Sequence, residues 1–128
     1  APAADSRERA RVMVVDSDPG LLEWAEVALQ CRGISCLCAP SPRRALSVFR
    51  DQKPDVIFVD VDVPGAAVAD HVRLFRAADL TRDVPIYIMT GMPGVRRVPE
   101  GVSGVLEKPI SLDRLVELAE VRATSAVA

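Results

Sequence analysis

Four polar residues stand where long apolar runs of this chain end, and their chemical types are complementary. Asp60 follows the unbroken apolar run 56–59, Asp16 and Thr90 close two other apolar runs in the same way, and Lys108 stands one residue after the end of a further run. Short unbroken apolar runs are typical of strands that are buried on both faces of a parallel sheet. Because the carboxyl ends of parallel strands meet at one edge, these four side chains are predicted to lie together there.

The chemistry that uses such a set is phosphoryl transfer to a carboxylate. Asp60 is the predicted nucleophile, because aspartate can form an aspartyl-phosphate intermediate. The transferred group carries negative charge on three oxygens, so Lys108 is predicted to contact one of them and Thr90 to donate its hydroxyl. Clustered carboxylates such as Asp16 and Asp60 favour Mg²⁺, a hard ion that binds oxygen ligands. Reorientation of Thr90 and the neighbouring loops toward the new anion would change the state of the domain.

Alternating strands and helices are needed to position these residues. Asp18-Pro19 and Ser41-Pro42 each combine an N-capping side chain with a proline suited to the first helical position. Apolar spacing and breaker residues predict strands over 11–15, 34–39, 56–60, 84–89 and 102–107. The same signals predict helices over 19–32, 42–52, 69–78 and 111–122, with at most one turn between 92 and 101. This alternation predicts an α/β fold with a parallel sheet between two layers of helices.

Composition indicates a single domain. The chain has 128 residues, of which 49% are hydrophobic, and this is enough for a core at such a length. A net charge of −2 argues against direct binding to nucleic acid. No apolar run approaches the roughly 18 residues needed to span a bilayer, so no membrane partner is predicted. We interpret residues 1–10 as a linker or expression remnant, 11–122 as the domain and 123–128 as a flexible tail.

The cysteines and the single histidine do not suggest a separate site. Cys31, Cys36 and Cys38 match neither a disulfide framework nor a zinc knuckle. Cys36 and Cys38 would share one face of a strand, but small buried side chains in a reducing cytosol are the simpler interpretation. The chain is therefore predicted to be cytoplasmic. His71 is predicted on a helix surface, and Trp24 is predicted to be partly buried in the core.

Four motifs, in order along the chain, resemble the receiver domain of bacterial two-component response regulators. They lie at 14–19 (Val-Val-Asp-Ser-Asp-Pro), 60–65 (Asp-Val-Asp-Val-Pro-Gly), 89–91 (Met-Thr-Gly) and 107–109 (Glu-Lys-Pro). The resemblance covers the predicted domain, 11–122. It implies a flavodoxin-like fold, with five parallel strands in the order 2-1-3-4-5 and helices on both faces.

The resemblance also implies a role for each residue of the motifs. Asp60 would be the phosphoacceptor, Thr90 the switch hydroxyl and Lys108 the base that contacts the phosphate. Asp16 and Asp60 would bind Mg²⁺ together with the backbone carbonyl of Asp62. The family usually has a cis peptide bond before the proline that ends the last motif.

The resemblance implies partners as well. A sensor histidine kinase or a phosphotransfer protein would donate the phosphoryl group, and a downstream effector domain or protein would respond to the changed state. Sensor kinases dock on the first helix in this family, so Trp24, Glu23 and Leu22 are candidate contacts. Such a domain is a signalling module and not an enzyme.

Three features depart from the family pattern. The family has two adjacent acids after the first strand, but here the second is Ser17, which is predicted to be a weak Mg²⁺ ligand. The aromatic switch residue of the family falls at Val105, which has no ring. The interval from Thr90 to Lys108 is short by about one helical turn. The family's fourth helix, which lies between the fourth and fifth strands, is therefore predicted to be short or degenerate here. The usual output and dimer surface should therefore differ in this chain.

Two other functions remain open. A pseudo-receiver would keep the fold as an interaction module without regulated phosphorylation, and Ser17, Val105 and the weak fourth helix favour it. An α/β enzyme or a flavin or nucleotide binder is disfavoured, because the first strand is not followed by a glycine-rich phosphate loop. Asp16 and Asp18 would also repel a cofactor phosphate, and the sequence offers no Ser-His or Cys-His nucleophile set.

Overall fold

The computed structural model describes residues 9–62, 67–94 and 98–127, with side chains described as far as residue 121. Strands and helices alternate as the sequence predicts, up to the last two strands. The elements are β1 (Arg11–Val15), α1 (Pro19–Cys31), β2 (Ser35–Ala39), α2 (Pro42–Val48), β3 (Val56–Asp60), α3 (Val68–Ala77), β4 (Ile86–Thr90), β5 (Gly104–Glu107) and α4 (Leu112–Val127).

The strands form one parallel sheet in the order β2-β1-β3-β4-β5, which confirms the predicted flavodoxin-like topology. Every residue of β3 is buried. This strand has a hydrogen-bonded neighbour on each side and helices above and below, so an unbroken apolar run is what its position requires. Asp60, the last residue of β3, therefore lies in the middle of the carboxyl edge of the sheet.

Two apolar layers hold the helices on opposite faces of the sheet. One layer joins β1 and β3 to α1 and α4, through buried residues that include Leu29 and Leu115. The other layer joins the opposite face to α2 and α3, through residues that include Ala45 and Phe75. Burial of each large apolar side chain contributes about 1.5–3 kcal/mol, so these layers fix the sheet edge that carries the polar residues.

The two predicted helix starts are confirmed. Asp18 Oδ1 accepts a hydrogen bond from the backbone N–H of Gly20, and Ser41 Oγ accepts one from the N–H of Arg44. A proline fills the first position of each helix, where its missing N–H costs no intrahelical bond. Gly33 follows α1 with a positive φ of 78°, a conformation that glycine adopts without strain.

The connection between β4 and β5 contains no helix in its described parts, 91–94 and 98–103. The Arg76 guanidinium group of α3 fastens this segment. It donates to the carbonyl of Gly101 at 2.9 Å and to the carbonyls of Thr81 and Val84 at 3.0 and 2.7 Å. A guanidinium group suits this task because its N–H donors form a rigid fork. One side chain thus holds both loops that lead into β4 and β5.

The prediction that His71 lies on the surface is wrong. Its side chain is only 3% exposed. His71 lies next to Val72 and one turn before Phe75 on α3, and both of these residues are buried against the sheet. The packing of α3 therefore decides its burial, and its polar character does not.

Three smaller expectations also need correction. Cys31 is exposed and Cys36 and Cys38 are half-buried, so the cysteines are not the fully buried side chains that the sequence suggested. Trp24 is 39% exposed, and thus less buried than expected. Helix α4 continues through 123–127, where a tail was predicted, because that segment lacks a glycine or proline to end it.

Candidate functional site

The four residues predicted to meet at the carboxyl edge occupy neighbouring strand ends. Asp60 ends β3 and Thr90 ends β4, while Asp16 and Lys108 directly follow β1 and β5. The order β1-β3-β4-β5 places Asp60 between the other strand ends. The backbone N–H of Lys108 donates to the carbonyl of Thr90 at 2.7 Å, which ties the end of β5 to that of β4.

The Lys108 ammonium group bridges the two carboxylates. Its Nζ lies 2.8 Å from Asp16 Oδ2 and 3.0 Å from Asp60 Oδ1. Both carboxylates are almost fully buried, with side-chain exposures of 1% and 4%, whereas that of Lys108 is 26%. Buried charges are stable only when paired, so the ammonium group is the main partner that allows two carboxylates to share this edge. The Lys108-Pro109 peptide bond is cis, as the resemblance implies.

The backbone positions Asp16. The N–H of Asp18 donates to Asp16 Oδ1 at 2.9 Å, which leaves Oδ2 directed at Lys108. Asp18 thus caps α1 with its side chain and orients Asp16 with its main chain. The motif Asp-Ser-Asp-Pro therefore fixes an acid and begins a helix within the same few residues.

Burial raises the pKa of Asp60 above its ordinary value; the Lys108 ammonium group opposes this rise and the charge of Asp16 adds to it. The N–H of Asp62 also stabilises the charged form. Partial burial opposes the charge of Lys108, but its hydrogen bond to Asp16 and the negative charges of both carboxylates outweigh this and raise the pKa of its ammonium group. A carboxylate with a raised pKa is more basic than usual, a property that suits a nucleophile.

Thr90 is buried, with 1% exposure, and its hydroxyl oxygen accepts a hydrogen bond from the N–H of Met92 at 3.0 Å. An oxygen that accepts a bond can still donate its own proton elsewhere. Glu107, in register with Thr90, accepts a hydrogen bond from the N–H of Gly94 at 3.2 Å. This role of Glu107 was not predicted from the sequence, although Glu107 stands directly before Lys108 in the last motif. Two side chains therefore hold the loop after β4.

Ser17 and Asp62 lie at the exposed rim of the site. The turn at Pro64-Gly65 falls outside the described residues. Within the described ranges, no third His, Cys, Asp or Glu joins Asp16 and Asp60 in a larger metal-binding cluster.

The residues present fit Mg²⁺ in its water-rich form of binding. Asp60 Oδ1 is buried and lies near Lys108 Nζ without the alignment of a hydrogen bond. That oxygen has capacity for a further cation, as has the neighbouring carboxylate of Asp16. Mg²⁺ usually takes one or two carboxylates and keeps several waters, so two carboxylates suffice.

A shallow groove of about 390 Å³ adjoins the site. It is lined by Leu21 and Trp24 of α1 and by Lys108, Pro109 and Ile110 after β5. The groove is mostly apolar away from Lys108, and it links the exposed face of Trp24 to the ammonium group of the site.

Val105 on β5 pairs with Ile88 of β4 and is half-buried against the layer that contains α2 and α3. The position where the resemblance expects an aromatic switch residue is thus filled by a small aliphatic side chain. No helix in the described residues is long and apolar enough to cross a membrane.

Comparison with known proteins agrees with this architecture. The family model for the response regulator receiver domain matches residues 12–120. The phosphate regulon transcriptional regulatory protein PhoB of Pseudomonas aeruginosa is 30% identical over 109 residues, which are 82% of this chain and 48% of PhoB. The DNA-binding response regulator MtrA of Mycolicibacterium smegmatis is 31% identical over 119 residues, 90% of this chain and 50% of MtrA. The chain thus spans about half the length of these relatives.

Solved structures share the fold. The chemotaxis response regulator CheY4 of Vibrio cholerae superposes with a TM-score of 0.73 at 24% identity, over 89% of this chain and 98% of CheY4. A response regulator receiver domain from Clostridium thermocellum gives a TM-score of 0.77 at 22% identity, over 91% of this chain and 96% of that one. With its matched motifs, strand order and acidic edge, the chain belongs to the response regulator receiver domain family.

Proposed function

We propose that Asp60 accepts a phosphoryl group from a histidine kinase or a phosphotransfer protein, and that the domain relays the resulting change of state. The observation that carries this proposal is the contact of one ammonium group, that of Lys108, with the buried carboxylates of Asp16 and Asp60. A nucleophile, a second acid and a fixed cation are the parts that phosphoryl transfer to a carboxylate needs.

In the proposed reaction an Asp60 carboxylate oxygen attacks phosphorus. A new oxygen–phosphorus bond forms while the bond from phosphorus to the donor's leaving atom breaks, and the electron pair departs with that atom. Lys108 already lies at the attacking carboxylate, so its charge is in place for a phosphoryl oxygen. Positioning and charge stabilisation supply most of the catalysis of such transfers.

Asp16, Asp60 and the backbone carbonyl of Asp62 would hold Mg²⁺, with Ser17 as a weak additional ligand. The ion would neutralise charge on the transferred group and help to orient it. The Ser17 hydroxyl carries no charge, so this chain should bind Mg²⁺ more weakly than a receiver with a second acid at that position.

The proposed response involves Thr90. Its hydroxyl lies at the next strand end and contacts the loop through Met92. A new anion on Asp60 would attract the hydroxyl proton, and turning toward it would disturb the contact with Met92. Val105 offers no ring to follow this movement, so the loop after β4 should carry more of the change than the face of β5.

The phosphoryl donor would dock beside the site. The groove between Trp24 of α1 and Ile110 leads to Lys108, and its apolar lining suits a helix from a kinase or phosphotransfer protein. A downstream effector domain or protein would bind elsewhere. In this proposal the domain is a signalling module and no enzyme in its own right.

Intact mass after incubation with a small phosphodonor and Mg²⁺ tests this function. The parent should gain one phosphoryl group and Asp60→Asn should gain none. Asp62→Asn is the matched control, because it removes an exposed carboxylate two residues away and should leave the adduct in place. A phosphoryl adduct of equal yield in Asp60→Asn would overturn the proposal.

A second function, the pseudo-receiver, is favoured by one feature of the site. Lys108 already pairs with both carboxylates, so its ammonium group supplies part of the positive charge that a metal ion would bring, and Ser17 adds no carboxylate to attract one. If the parent gains no phosphoryl group even at high Mg²⁺, the domain is better described as an interaction module.

A further inference from the structure

Cys36 and Cys38 form a dithiol on β2, on a different part of the sheet from Asp60. They are two residues apart on one strand, so both side chains lie on the same face. Their Sγ atoms are 3.3 Å apart. This approach is within hydrogen-bonding range for thiols and well beyond the length of a disulfide bond.

The dithiol is accessible and lies against α1. Both residues are half-buried, and Cys36 borders an open cavity of about 470 Å³ that Glu26 and Gln30 also line. Cys38 Sγ is 3.4 Å from the carbonyl oxygen of Leu22. The cavity therefore gives a small reagent a route from solvent to Cys36, while the contact with Leu22 of α1 limits the movement of Cys38.

The two thiols differ in acidity because they share a hydrogen bond. That bond raises the pKa of Cys36, as do burial and the nearby charge of Glu26. The same bond lowers the pKa of Cys38, against the effect of burial. The shared hydrogen bond thus favours the thiolate form of Cys38 over that of Cys36.

The geometry selects the kind of ligand. In the described part of the chain, the two sulfurs have no third Cys, His, Asp or Glu with which to form a larger metal-binding cluster, so a closed tetrahedral zinc site is not available. An atom bound to both sulfurs at about 2.3 Å, the usual zinc–sulfur length, would subtend an angle near 90° across 3.3 Å. This angle is narrower than tetrahedral and suits a pyramidal centre such as trivalent arsenic.

A direct bond between the sulfurs fits less well. Residues two apart in a strand have Cα atoms about 6.6 Å apart, close to the upper limit for disulfides. A single bridging atom needs less movement of the strand than a disulfide does. The pair is therefore better arranged to chelate than to oxidise.

We propose that Cys36 and Cys38 form a binding site for monosubstituted trivalent arsenicals, and that this site works independently of Asp60. Two arsenic–sulfur bonds form and the two arsenic–hydroxyl bonds of the hydrated ligand break. Each thiol proton leaves with a hydroxyl group as water. Arsenic stays trivalent and sulfur is not oxidised, so the reaction needs no oxidant or reductant.

The probe for this site is phenylarsine oxide, added to the reduced full chain, with intact mass as the measurement. One adduct per chain should form and should survive an excess of glutathione, because a monothiol competes poorly with two linked thiols. The parent should bind the probe with about 100-fold higher affinity than either variant that lacks one of the two thiols. Dithiothreitol should remove the adduct.

Three variants separate this site from simple thiol reactivity. Cys31→Ser removes the exposed cysteine outside the pair and should leave the glutathione-resistant adduct unchanged. Cys36→Ser and Cys38→Ser should each abolish it. Cys36→Ala and Cys38→Ala repeat the test without a buried hydroxyl, and far-ultraviolet circular dichroism verifies that each variant is folded. An adduct that glutathione strips from the parent, or one that survives in a folded Cys36 variant, would overturn the proposal.

Discussion

The charged site at the carboxyl edge of the sheet and the connection from β4 to β5 are built differently. At the ends of β1, β3 and β5, an ammonium group holds two buried carboxylates at 2.8 and 3.0 Å. Beyond β4, the described parts of the connection to β5 contain no helix. The structure of the charged site depends on buried ion pairs, whereas the connection from β4 to β5 is a loop.

The difference shows which parts of the molecule can vary. Loss of Lys108 would leave two buried carboxylates without their shared partner, at a cost of several kcal/mol. The connection from β4 to β5 has only to bring β5 back beside β4, and Arg76 fastens it through its bonds to Gly101 and Val84. The acid site can therefore persist while the connection from β4 to β5 is remodelled.

The largest expected effect comes from removing the ammonium group. Lys108→Met should lower the free energy of unfolding by about 3 kcal/mol at neutral pH, because two buried carboxylates lose their shared partner. Urea unfolding of parent and variant measures this difference. Lys53→Met is the control, since Lys53 pairs with Asp83 on the surface and its loss should cost less than about 1 kcal/mol.

The stability difference between the parent and Lys108→Met should also depend on pH. The pKa of Lys108 is raised on folding, so its contribution is present below the ordinary value of 10.5 and is lost as the pH rises through the raised value. The pKa of Asp60 is raised above the ordinary 3.8, so its ionised form opposes folding as the pH rises through that window. The deficit of Lys108→Met should therefore shrink as the pH falls and Asp60 is protonated. A deficit that stays constant down to pH 4 would contradict the buried charge pair.

A smaller loss of stability is expected from a change in the connection from β4 to β5. Arg76→Met removes the bonds to the loops before β4 and β5 and should cost about 2 kcal/mol. Amide hydrogen exchange should become faster in Gly104–Glu107 and remain unchanged in Arg11–Val15. Arg73→Met is the matched control on the same helix, because among the described residues Arg73 forms only an exposed pair with Asp70. If amide hydrogen exchange in Gly104–Glu107 is equally fast in both variants, Arg76 does not hold the connection from β4 to β5 in place.

The smallest predicted effect is a change in Mg²⁺ affinity caused by a substitution at the rim of the acid site. Ser17→Asp should tighten Mg²⁺ binding about tenfold, or about 1.4 kcal/mol, because it adds a carboxylate beside Asp16. Fluorescence of Trp24, the only tryptophan, can follow the titration, since its groove includes Lys108. Ser47→Asp adds the same charge on an exposed face of α2 and should leave Mg²⁺ affinity unchanged. If both variants bind alike, the missing second acid is not what weakens the site.

Much of the fold was predictable because local signals agreed with the final packing. The apolar run before Asp60 predicts a buried central strand, and Asp18-Pro19 and Ser41-Pro42 predict two helix starts. The site residues were predictable for a related reason, since each stands where such a run ends. Parallel pairing then brings those ends to one edge.

The remaining features depend on contacts between distant parts of the chain. His71 is buried because α3 turns that face to the sheet, and a polar side chain gives no local sign of this. Arg76 acts on a carbonyl 25 residues away. The shared face of Cys36 and Cys38 follows from strand periodicity, but their 3.3 Å separation depends on how α1 packs over β2. The pKa shifts depend on burial together with contacts to distant residues, such as that of Lys108 with Asp16 and Asp60, and cannot be derived from residue type.

The most direct test of the central claim is to locate the phosphoryl group. Borohydride reduces an acyl phosphate to an alcohol, so treatment of the phosphorylated chain converts the modified aspartate to homoserine, which peptide mass analysis can locate. Conversion is expected at Asp60 alone, with Asp16 and Asp62 intact. Conversion at Asp16 or Asp62 with Asp60 unmodified would contradict the assignment of Asp60 as the phosphoacceptor.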